Sequence, residues 1–109
     1  MTDVYQCEST TDSQEEAQRI AHALVERRLA ACVHVVGPIR STYRWEGAVE
    51  NEEEWLLRIK TTEGLVQRVK AAVAELHSYD EPELLVFAVA DGSPGYLEWV
   101  RTETSERTP

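Results

Sequence analysis

Residues 31–61 constrain this chain more than any other stretch. Positions 32–36 are β-branched, 41–45 are rich in Thr and aromatics, and 55–61 alternate. In that last segment Trp55, Leu57 and Ile59 face one side and Glu54, Arg58 and Lys60 the other. Leu56 interrupts the polar side, which suggests that a second face is also covered. With a turn at Glu46-Gly47, the pieces form one hairpin with arms at about 31–46 and 48–61. Sixteen extended residues span roughly 50 Å at ~3.3 Å each. A compact domain of 109 residues has a diameter of only about 35 Å. A straight hairpin therefore overhangs its domain by about 15 Å, carrying Tyr43 and Trp45 into solvent. An isolated aromatic ribbon of two strands is marginal in water, so a second copy covering it is the expected remedy. The other reading is a hairpin kinked at Gly37-Pro38 and folded back on its own sheet.

The length suits a single domain spanning 1–109, able to bury about 65% of its unfolded surface. Eleven basic and twenty acidic residues leave a net charge of −9. That balance argues against nucleic acid, which needs a dense basic face, and against anionic membranes. The opening residues lack the basic and apolar regions of a signal peptide. The longest apolar run, 84–90, is far short of a membrane span and reads as a central strand. Cys7 and Cys32 form no CxxC pair, so they are expected to be two cytoplasmic thiols rather than a zinc ribbon or redox motif.

Around the hairpin, a short strand ends at Cys7 and stops at Thr10-Thr11-Asp12-Ser13. Ser13 and Glu16 fit a capping box, as do Asp12 and Glu15, and the apolar spacing predicts a helix over about 13–29. Leu65, Val66, Val69, Val73 and Leu76 predict a second helix over about 63–77. Ser93 and Pro94 begin a last one, and about 102–109 read as a flexible tail. The order β-α-β-β-α-β plus a terminal helix is the α+β split-βαβ, or ferredoxin-like, arrangement. Its usual antiparallel strand order, 4-1-3-2, puts Pro38 on an edge strand, where a missing N–H is tolerated.

This topology gathers Cys7, His77, Tyr79, Asp80 and Glu83 at one sheet end. Thiolate and imidazole together suit copper or zinc. Alternatively, Cys7 is a small buried apolar side chain and His77 a cation at a helix C-terminus. Cys32 and His34 share a strand face, but two ligands without a partner make no site. Lys60 is either an anion contact or a solvated strand end. The run Glu50-Asn51-Glu52-Glu53-Glu54 reads as a solvated bulge. No GxSxG, P-loop, HExxH or GxGxxG motif occurs, and no aromatic RNP1 strand, so no enzyme or RNA-binding signature is present.

Leu29-Ala30-Ala31-Cys32-Val33, Ser41-Thr42-Tyr43-Arg44-Trp45-Glu46-Gly47, Lys60-Thr61, His77-Ser78-Tyr79-Asp80-Glu81-Pro82-Glu83 and Tyr96-Leu97-Glu98-Trp99 together resemble the CutA family of divalent-cation tolerance proteins. The resemblance implies a ferredoxin-like subunit and a tight, PII-like homotrimer whose hairpins complete intersubunit sheets. It also implies a divalent metal ion, copper, with Cys7, His77 and Glu83 as the counterparts of proposed ligands. Tyr43, Arg44, Trp45, Glu54, Lys60 and Tyr79 would line a polar cleft. One departure stands out: the family commonly has proline where this chain has Ser78, which returns an N–H donor to the loop.

The expected function is a non-enzymatic, trimeric copper-binding protein of metal tolerance. A PII-like sensor binding a small anion between subunits is the alternative, as is a trimeric scaffold for an unidentified partner protein.

Overall fold

The structure, a computed structural model, describes residues 2–105. Its elements are β1 (Val4–Thr11), α1 (Gln14–Glu26), β2 (Cys32–Trp45), β3 (Ala48–Thr62), α2 (Val66–Leu76), β4 (Leu85–Ala88) and α3 (Pro94–Glu103). A single 3-10 turn, Glu63–Leu65, leads into α2. The strands form one antiparallel sheet in the order β2-β3-β1-β4. This is the ferredoxin-like arrangement expected from the element order, with Pro38 on the edge strand β2.

The hairpin dominates the shape. β2 and β3 pair from Cys32↔Lys60 to Trp45↔Ala48, with a register shift between Val36 and Ile39. That irregularity falls at Gly37-Pro38, where a bend is expected. A side chain at Gly37 would also crowd its neighbour: a Cβ would lie 2.5 Å from Cδ1 of Trp55. At the tip, Glu46 and Gly47 both have positive φ, 48° and 83°. Two left-handed residues in a two-residue turn match the right-handed twist of the flanking strands. The molecule measures 44 × 29 × 21 Å, and its long axis exceeds the ~35 Å of a compact domain of this length.

Strand alternation puts Cys7, Leu57 and Ile59 on one sheet face. There they form the core with Ala17, Ile20 and Leu24 of α1 and Val69, Ala72 and Val73 of α2. Ser13 caps α1 by accepting from the Glu16 N–H at 3.1 Å. α3 packs Leu97 and Val100 against Val4 and Ala31. Val4 points away from the face that Cys7 occupies, so α3 covers part of the other side.

Several expected boundaries move. β1 does not end at Cys7 but continues through Thr11, because Ser9, Thr10 and Thr11 keep pairing with β3. α1 ends at Glu26 rather than 29: Arg28 turns left-handed (φ 60°), and Leu29 and Ala30 drop into the core. The apolar run 84–90 supplies only a four-residue strand, and it lies at the sheet edge rather than the centre. Leu85, Val86 and Phe87 are consequently 51%, 38% and 47% exposed. Of the expected tail, Thr102 and Glu103 belong to α3, and the Ser105 N–H donates to Arg28 O; 106–109 lie outside the described residues.

Leu57 is fully buried between the sheet and both helices. Leu57→Ala should cost about 3 kcal/mol in chemical denaturation, from lost transfer energy plus the cavity left behind. A loss below about 1 kcal/mol would contradict this placement of the core.

Candidate functional site

The end of the sheet from which the arm projects carries most of the polar side chains singled out above. Here β1 finishes at Thr11, α1 begins, and the loop 77–83 returns from α2 toward β4. His77 follows the last turn of α2, with its backbone N–H donating to Val73 O at 2.9 Å. Its side chain is wholly buried. The ring Nε2 lies 2.7 Å from Thr10 O, and Nδ1 lies 3.0 Å from the Tyr79 N–H. A carbonyl can only accept and an amide N–H only donates, so Nε2 carries the proton and Nδ1 is the acceptor.

Glu16, in the first turn of α1, is buried beside this ring. Its Oε2 accepts from Thr11 Oγ1 at 2.6 Å and from Ser78 Oγ at 3.0 Å, and lies 3.6 Å from His77 Nδ1. Arg19 Nη2 approaches Oε1 at 3.4 Å. Burial raises the Glu16 pKa, but the hydrogen bonds from Thr11 and Ser78 outweigh it and hold the carboxyl below its usual range. Glu16 was recognisable in the sequence only as a capping residue. Its partners at Thr11 and Ser78 come from other elements, which no local pattern reveals.

Tyr79 stacks at a tilt on His77, with ring centroids 4.6 Å apart. Its hydroxyl donates to Glu54 Oε2 at 3.1 Å. Burial and then this carboxylate push the phenol well above its ordinary pKa. Glu83 is also raised, by burial and then by Glu54 and Glu8. The Glu83 backbone is tied to β1, its carbonyl accepting from Ser9 Oγ at 2.7 Å. Tyr43, on the arm, feels the same acidic surroundings: loss of solvent, then Glu52, Glu50 and Glu54, raise its hydroxyl.

The structure therefore joins Tyr79 to Glu54 and to the ring of His77, puts Glu83 and Tyr43 within electrostatic reach of Glu54, and leaves Arg44, Trp45, Lys60 and Cys7 apart. Arg44 pairs with Val49 and Trp45 with Ala48 near the tip, five and six residues of β3 beyond Glu54, roughly 17–20 Å away. Lys60 lies six residues the other way, opposite Cys32, with its ammonium pKa lowered by burial and by Arg58. Cys7 sits in mid-strand between Ile59 and Val86, wholly buried in the core. Burial pushes its thiol up to about 11. Cys32 alternates onto the opposite face of the sheet, and both thiols are free. Among the described residues, no three His, Cys, Asp or Glu side chains converge as a metal-binding group. No helix among them is long and apolar enough to cross a membrane.

The family model of the CutA1 divalent ion tolerance protein matches residues 6–103. The chain belongs to this family. It is 45% identical over 95 residues to the divalent-cation tolerance protein CutA of Thermus thermophilus, covering 87% of this chain and 92% of that protein. It is 39% identical over 95 residues to the chloroplastic protein CutA of Arabidopsis thaliana, again over 87% of this chain but only 52% of the plant protein. This chain thus spans about half the plant relative's length. A crystal structure of CutA from Xylella fastidiosa superposes with a TM-score of 0.93 at 39% identity, covering 95% of this chain and all of that one. None of these relatives is named as an enzyme.

Cys7 should resist alkylation in the native protein, since a protonated, fully buried thiol neither meets the reagent nor presents a thiolate. Iodoacetamide at pH 8 followed by peptide mass spectrometry should show Cys7 unmodified until denaturant is added. Rapid labelling of Cys7 in the folded protein would contradict the packing described here.

Proposed function

We propose that the chain acts without enzymatic turnover in divalent-cation tolerance, as a homotrimer. The observation that carries the assembly is the pairing of two unfinished surfaces. The arm exposes Tyr43 (37%), Trp45 (63%) and Val49 (64%) at its far end. The edge strand β4 exposes Leu85, Val86 and Phe87 beside a row of unpaired backbone groups. An isolated ribbon of this length is marginal, and an open apolar edge invites another strand. A second copy offers the complement of both. The family membership supports three copies, as the resemblance in sequence implies.

The electrostatics at Tyr79 favour a cation over an anion. Glu83 is raised by burial and then by the charges of Glu54 and Glu8, and Asp12 and Glu52 add to the negative field that Glu54 places on Tyr79. The basic residues that would serve an anion, Arg44 and Lys60, stand at a distance along β3. Copper is the ion to test first, because the family resemblance implies it. Since the described residues of one chain present no converging ligand group, we assign the cation contact to the boundary between subunits, where the acidic cleft would meet a neighbour's side chains. Two free thiols on opposite sheet faces suit a reducing compartment such as the cytoplasm.

Sedimentation velocity at micromolar protein should give a mass of about 37 kDa, three times the 12.4 kDa chain. Association should strengthen with salt, because three chains of −9 repel one another and salt screens that repulsion. A stable 12.4 kDa species across that range would overturn the assembly.

A further inference from the structure

We infer that Glu16 and Ser78 close an internal clasp beside His77, which fixes the loop 77–83, and that Cys7 and His77 are not a copper-binding pair. The geometry carries both parts. A neutral imidazole has one lone pair to offer a metal, and here it accepts the Tyr79 N–H at 3.0 Å. The other nitrogen spends its proton on Thr10 O at 2.7 Å. Ligation at either nitrogen would break a buried bond to the backbone and leave an orphaned group. Cys7 is no nearer to serving. The residue that His77 grips on β1 is Thr10, three positions and roughly 10 Å along the strand from Cys7. Donors to one metal ion lie within about 4 Å of each other. The thiol is also fully buried among Leu57, Ile59 and the two helices, where it stays protonated.

The clasp itself is closed by residues from three elements. Glu16 brings the start of α1, Thr11 the end of β1 and Ser78 the loop, and the two hydroxyls meet at one carboxylate with the His77 ring packed beside it. Ser78 matters most in this chain. Its hydroxyl and its backbone amide both stabilise the charged form of Glu16. A proline at this position could supply neither. The loop that the clasp holds is the one carrying Tyr79 and Glu83, so Glu16 and Ser78 act as positioning residues for the acidic cleft.

Copper(II) titration by calorimetry, with electron paramagnetic resonance of the loaded protein, tests the ligand half. His77→Gln keeps a donor that can reach Thr10 O, and Cys7→Ser keeps the volume of the thiol. Both variants should bind copper within twofold of wild type, with an unchanged resonance spectrum. A wild type that takes up no copper would also remove both residues as ligands, while counting separately against the cation reading. A tenfold or greater loss of affinity in folded Cys7→Ser or His77→Gln, or loss of histidine-nitrogen splitting in the latter, would overturn the inference. Thermal melts of Glu16→Gln, Ser78→Ala and the double variant test the clasp half. The single changes should each lower Tm, and the double change should lower it by clearly less than their sum. Strict additivity would mean that the two residues do not act together.

Discussion

The ladder between β2 and β3 is the constraint on which the rest of this structure depends. It runs without a break beyond the bulge at Gly37-Pro38 as far as Trp45↔Ala48, well past the last residue that α1 or α2 can cover. Along the arm each strand is hydrogen-bonded on one side only, because β1 reaches no further than Trp55, and side-chain burial falls off with it. At the base, Leu57 and Ile59 are fully buried; at the tip, Trp45 and Val49 are more than 60% exposed. One hairpin thus passes from core to surface, and its far half is a two-stranded ribbon with open backbone edges and no apolar partner. The same imbalance appears at β4, whose apolar side chains have a neighbour on one side only.

The polar end of the sheet is organised on a different principle. Burying a carboxylate is costly unless it is hydrogen-bonded. Glu16 meets that cost with donors from Thr11 and Ser78, and His77 meets its own with one donor and one acceptor from the backbone. These groups are saturated, which makes them good at fixing a loop and poor at holding an ion. Beyond them lies the acidic side of the loop, Tyr79 with Glu54 and the nearby Glu83, where charges are crowded rather than paired. Saturated and crowded polar groups therefore sit side by side and are told apart by their hydrogen bonds, not by their residue types.

Much of this was legible in sequence because it is local. Alternation from Trp55 to Thr61, the turn at Glu46-Gly47 and the Ser13 cap each depend on residues within a few positions of one another. The element order then sufficed for the topology. Three features were not legible. The strand through Thr11 depends on pairing with β3 rather than on its own composition, and it moved Cys7 from a strand end into the core. The exposure of 85–87 reflects the absence of a neighbour on that edge, which an apolar run cannot signal. The fate of Glu16 and His77 was set by partners 62 and 67 residues away, so a residue that looks like a ligand by type has both ring nitrogens engaged by the backbone.

Hydrogen–deuterium exchange of the arm tests the central claim most directly, that the hairpin's outer half is stabilised by a neighbouring copy. An uncovered ribbon of two strands opens freely, whereas one covered by another chain exchanges only when the assembly does. At micromolar protein, amides 40–52 should be protected to a degree comparable with 56–61, and should lose that protection on dilution below the association range. Exchange of 40–52 within seconds at every concentration, beside a protected core, would contradict the account.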